Sequence, residues 1–187
     1  GDGLVVRHSL ISDTSTEGIY IMASSDVLLE RNIFRRNNIE RITGYYPSAV
    51  KIFNQSHRVT VRDNLVIDNP HSNGVWYDVG NRDGVFVNNW VENALVGFFF
   101  EISKGATVAG NVFVDCGRGA WALNSANVRV YHNTFVDSVA SFERNERSAV
   151  GDHAVTGATI VVIHHKKKNQ PTERGSSALR GAADVDI

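Results

Sequence analysis

Residues 59–69, VTVRDNLVIDN, place an apolar residue at 61, an asparagine three positions on at 64 and a second apolar residue at 66. The same arrangement returns in VLLERNIFRRN (27–37), GVFVNNWVEN (84–93), ATVAGNVFVDC (106–116) and VRVYHNTFVDS (128–138). Aligned on the asparagine, the triplets read Leu29/Asn32/Phe34, Val61/Asn64/Val66, Val85/Asn88/Trp90, Val108/Asn111/Phe113 and Val130/Asn133/Phe135. Successive asparagines lie 32, 24, 23 and 22 residues apart, and Val6/Ser9/Ile11 supplies an earlier unit with serine in the asparagine slot. Self-similarity at such a period marks a chain that stacks one supersecondary unit on the next.

Each unit carries a further strand that starts at a small residue: GIYIM at Gly18, AVKIF at Ala49, GVWYD at Gly74, GFFFE at Gly97 and GAWAL at Gly119. The period is too short for a pair of helices, and apolar residues alternate every second position over three to five residues, with no 3.6-residue rhythm. Three very short strands per unit, separated by turns, give a parallel solenoid.

These units resemble the repeats of the right-handed parallel β-helix, the fold of pectate lyases and related polysaccharide-processing proteins, over residues 4 to about 138. The resemblance implies an inward-facing asparagine at one turn of each coil, where a left-handed backbone is tolerated and the amide bonds the next asparagine. Asn32, Asn64, Asn88, Asn111 and Asn133 match that ladder, and Cys116 and Ser138 take the small-residue position held by Asn37, Asn69 and Asn93 in other coils. The expected fold is all-β: a single-domain right-handed parallel β-helix of about six coils over residues 1–138, with an internal asparagine ladder. Residues 139–187 form an irregular C-terminal segment in which ATIVVIHH (158–165) offers one more strand and the remainder reads as a polar tail. Terminal coils of a solenoid need caps, and the repeats begin almost at the first residue. The tail, a second chain or further sequence of a longer protein would supply that cap.

Strand alternation assigns faces. In the strand after each small residue, Ile19/Ile21, Val50/Ile52, Val75/Tyr77, Phe98/Phe100 and Ala120/Ala122 point inward, so Tyr20/Met22, Lys51/Phe53, Trp76/Asp78, Phe99/Glu101 and Trp121/Leu123 point out. Tyr20, Trp76, Phe99 and Trp121 form a strip of rings suited to the flat apolar faces of a sugar polymer. Tyr45 and Tyr46, in the excursion NIERITGYYPS (38–48), wall the strip or cover it, and His71 in the turn NPHSNG lies at the groove edge. An exposed aromatic patch of this kind is a candidate binding surface.

Beside the strip stand Lys51, Asp78 and Glu101. Two carboxylates on adjacent coils, about 4.8 Å apart, either raise one another's pKa or recruit a cation. The first outcome gives the acid and nucleophile of a retaining glycosidase. The second gives a Ca²⁺ site that neutralises a uronate carboxylate, with Asp78 and Glu101 as ligands and Lys51 as the base of a lyase. The plain alternative is a charge cluster that keeps a strand face solvated.

Composition narrows the classes without choosing among them. A chain of 187 residues with 42% hydrophobic content supports one sizeable core. The net charge of -1 argues against nucleic acid as a partner. No apolar run reaches membrane-spanning length, so no membrane partner is expected, and the opening GDGLVVRH lacks the marks of a signal peptide. A secreted or cell-surface location follows only from the resemblance, since the one cysteine, Cys116, leaves the redox compartment open. Three readings stand: a polysaccharide lyase or glycoside hydrolase, a carbohydrate-binding module without chemistry, and a structural or adhesin-like solenoid.

Overall fold

The computed structural model describes residues 1–44 and 47–145 and the backbone of the strand Ile160–His164. Every regular element among them is a strand, and every pairing is parallel. Six strands, Ile19–Met22, Ser48–Phe53, Asn73–Asp78, Val96–Glu101, Arg118–Leu123 and Ala140–Glu143, stack coil on coil into one sheet. The other two faces of the coil belong to a single twelve-stranded sheet, because the eleven-residue strand Ala126–Val136 bends round the corner and joins them. The chain therefore winds as a right-handed solenoid of about six turns. It also runs past residue 138: Ala140–Glu143 extends the six-stranded sheet, and Ile160–His164 pairs with Ala126–Val136 as the strand expected near 158–165.

The interior follows the alternation. Ile21, Val50, Ile52, Val75, Tyr77, Phe98, Phe100, Ala120 and Ala122 are buried, and Phe86, Phe113 and Phe135 stack along the axis with ring centroids 6.2 and 5.0 Å apart. Tyr77 is wholly buried, yet its hydroxyl donates to the Val59 carbonyl at 3.1 Å. That bond meets the requirement that a polar group in the core find a partner.

All three corners carry ladders. At the asparagine corner, the Oδ1 of Asn64, Asn89, Asn111 and Asn133 each accepts the backbone N–H and the Nδ2 of the residue one coil earlier, at 2.9–3.1 Å. Ser9 enters the stack through its N–H to Asn32 Oδ1. A second corner links Asn37 to Asn69 and Cys116 to Ser138. The third runs Ser24, Ser56, Asn81, Ser103, Ser125, each N–H donating to the next side-chain oxygen.

One coil departs from the sequence pattern. Asn89, not Asn88, stands in the ladder, and the core triplet there is Phe86/Asn89/Val91 rather than Val85/Asn88/Trp90. Asn88 is exposed with φ 56°, and Trp90 is 42% exposed, its indole N–H donating to Glu92. Asn93 is likewise exposed at φ 56°, while Ala94 pairs with Asn69 and fills the inner slot. The physical reason lies in the corner. The left-handed residue is the one before the ladder amide, as Arg31, Asp63, Gly110 and His132 show in the other coils. It kinks the strand and turns its own side chain to solvent. Two adjacent asparagines satisfy both positions, so the pattern alone matches at either offset.

Candidate functional site

Parallel register sorts the outward residues of the six-stranded sheet into two columns. One runs Tyr20, Lys51, Trp76, Phe99, Trp121, Ser141; the other, two residues along each strand, runs Met22, Phe53, Asp78, Glu101, Leu123, Glu143. Asp78 and Glu101 are thus direct strand neighbours at the ends of Asn73–Asp78 and Val96–Glu101. Neighbouring parallel strands lie about 4.8 Å apart, so the carboxyl groups share one face and one environment.

Lys51 belongs to the other column, one coil earlier, and its length lets it cross between them. Its Nζ donates to Asp78 Oδ2 at 2.8 Å and lies 2.9 Å from the centre of the Trp76 ring. The ion pair is nearly dry, with side-chain exposures of 6% for Lys51 and 13% for Asp78. Burial lowers the Lys51 pKa, and the Asp78 carboxylate opposes that shift. Glu101 is pushed up to about 7, first by burial and then by the charge of Asp78, while Lys51 and a hydrogen bond from the Trp76 side chain pull it back. Near neutral pH the site therefore holds a protonatable carboxyl beside a carboxylate fixed by an ammonium group.

The aromatic column is more closed than the sequence suggests. Trp76 and Phe99 stack at 4.8 Å, and Phe99 and Trp121 at 4.3 Å with planes 6° apart. Each ring hides the faces of its neighbours, and Trp76 and Phe99 are only 4% and 5% exposed. A cation meets each end of the stack: Lys51 over Trp76, and the Arg118 guanidinium 4.0 Å over Trp121. Val96 and Leu123 complete this second apolar cluster. Arg118 carried no signal in the sequence, because it sits at the first position of its strand, in register with Val96, and outside the alternating pair.

Tyr20 stands at the open end of the same column, 51% exposed, with its ring 6.2 Å from that of Phe53. His71 does not join the acidic pair. It precedes the strand that Asp78 ends, and its carbonyl accepts from the Asn38 side chain at 2.8 Å. Tyr45 and Tyr46 lie outside the described residues.

A resident calcium ion does not fit these side chains. Ca²⁺ takes about six to eight oxygen ligands, whereas here one of two carboxylates is already neutralised by Lys51. Among the described residues, no three His, Cys, Asp or Glu side chains come together as a metal site.

The family model for the right-handed beta helix region matches residues 1–135. The chain belongs to that family. That family's right-handed β-helix agrees with the parallel solenoid described above. No curated protein and no solved structure matches this β-helix.

Proposed function

We propose that this β-helix cleaves a polysaccharide at the Lys51, Asp78 and Glu101 site by hydrolysis with a carboxyl pair. The observation that carries the reading is Glu101 held at a pKa of about 7 next to an ion-paired Asp78 on the adjacent strand. Protonated Glu101 donates to the glycosidic oxygen as the bond to the leaving sugar breaks. The Asp78 carboxylate attacks the anomeric carbon and forms a glycosyl ester. Glu101, now ionised, takes a proton from water, which hydrolyses that ester and restores both groups. Neighbouring strands favour this retaining geometry, for which carboxyl groups stand about 5 to 5.5 Å apart, over the wider inverting one. Lys51 positions Asp78; being committed to that pair, it is a poor base for elimination.

The test is incubation with neutral and uronate-containing polysaccharides, read for new reducing ends and for ultraviolet absorbance of an unsaturated product. Hydrolysis gives the first signal alone, and Glu101→Gln removes it. Reducing ends that survive Glu101→Gln would overturn the assignment. Both signals together would mean elimination instead. A second reading, a structural coil, is favoured by the near-complete burial of Trp76 and Phe99, which leaves their faces to each other rather than to sugar. That reading predicts neither signal.

A further inference from the structure

Round the corner from the triad, the coils that end a strand on a carboxylate begin the next strand on a cation. Asp78 is followed after three residues by Arg82, and Glu101 after two by Lys104. Arg82 and Lys104 are register partners on Arg82–Val87 and Lys104–Ala109. The next coil brings Arg129, three residues beyond Ala126, the partner of Lys104. With Asp83, Gly105 and Asn127 these residues line an open surface depression of about 460 Å³.

Charge at this site is unbalanced. Five other arginines pair with carboxylates: Arg35 with Asp68, Arg36 with Asp13, Arg58 with Asp26, Arg62 with Glu30 and Arg118 with Glu143. Among the described residues, the side chains of Arg82, Lys104 and Arg129 have neither an ion pair nor a hydrogen bond. Asp83 is the single acid of the lining, against three cations. Its Oδ1 lies 2.7 Å from where a Cβ on Gly105 would be, so any side chain at 105 would displace it. The glycine, at φ +79°, thus makes room for the Asp83 carboxylate of the neighbouring coil.

We propose that this depression binds a tetrahedral oxyanion, a sulfate or phosphate group. Two guanidinium forks and an ammonium from three successive coils offer more donors than the two oxygens of a carboxylate can accept, and a group with three free oxygens matches them. The proposal is independent of catalysis by the triad, because its test reads binding and not turnover.

The experiment is titration calorimetry of the full chain with dextran sulfate, unsulfated dextran, inorganic sulfate and inorganic phosphate. Dextran sulfate binds and dextran does not; competition by inorganic sulfate or phosphate shows that the free anion suffices, and its failure to compete assigns the site to a polymer-borne group. Arg82→Gln with Lys104→Gln weakens binding by at least about tenfold, the loss expected for two charge-assisted contacts. Arg35→Gln with Arg36→Gln, the same change in net charge on paired arginines, leaves it unchanged. Asp83→Asn, which removes the one opposing charge and retains a residue suited to φ 54°, tightens it. Absence of binding by the native chain, or equal loss in both double variants, overturns the proposal.

Discussion

The ladder at the asparagine corner and the triad on the outer face are both stacks of polar side chains withdrawn from water, and they solve the same problem with different chemistry. Asn64, Asn89, Asn111 and Asn133 are neutral amides, and each passes its hydrogen bonds to the next at 2.9–3.1 Å, so every coil repeats the last. Lys51, Asp78 and Glu101 do not repeat. One ammonium neutralises one carboxylate, and the second carboxyl is left to hold a proton. Repetition makes the ladder a stability element that tolerates its low dielectric. The unrepeated charges give the outer site a carboxyl with a raised pKa, and groups with shifted pKa values cluster at functional sites.

Lys51→Met gives the largest expected effect. It strands Asp78 in a nearly dry site, and removal of one partner from such a pair costs about 3 to 5 kcal/mol. Chemical denaturation measures it, and adding Asp78→Asn recovers part of the loss because the orphaned charge is gone. A loss below about 1 kcal/mol would class the pair with solvated surface bridges and erase the contrast with the ladder.

Within the ladder, the expected costs separate two adjacent residues. Asn89→Leu leaves the buried Asn64 N–H and Val61 carbonyl of the preceding coil without the Asn89 amide, a loss of about 1 to 3 kcal/mol. Asn88→Gly changes an exposed residue whose φ of 56° glycine adopts freely, so stability shifts by less than about 1 kcal/mol. Thermal melts of the two variants check the corner register directly, and the reverse order would restore Asn88 to the ladder.

Those two asparagines also mark where the sequence stops being sufficient. The solenoid, its inner faces and the pairing of Asp78 with Glu101 were legible because a parallel stack repeats both alternation and register. A slip of one residue within a single coil was not, since VNNW satisfies the pattern at either offset and only the left-handed corner decides. The serine ladder through Ser24, Ser56, Ser103 and Ser125 left no distinct mark in the sequence, because serine is common in turns of every kind. Outward direction was readable for Trp76 and Phe99, but their burial was not. Exposure depends on what a ring stacks against in the next coil, and alternation says nothing of that. Lys51 was placed on the right face, yet its reach across columns to Asp78 is a property of side-chain length that only the folded chain expresses.

The last effect, and the one that separates the two stacks most cleanly, is in pH. Glu101 takes its proton more tightly in the folded chain than in the unfolded one, because burial and the Asp78 charge disfavour its ionised form. Between the ordinary value of 4.5 and about 7, the folded state therefore binds more protons than the unfolded state. The contribution is complete below the unfolded value and is lost as pH rises through the folded one. Melting temperature should fall across that window in the native chain. Glu101→Gln should flatten that component of the profile, because an amide does not titrate, while Asn89→Leu should lower the melting temperature by a similar amount at every pH. If Glu101 is also the acid of the reaction, hydrolysis should decline above about pH 7 as its proton leaves, at the upper edge of the window in which stability is lost. A melting profile unchanged by Glu101→Gln would mean that the carboxyl titrates as in water. The site would then lack the proton donor that distinguishes it from the ladder.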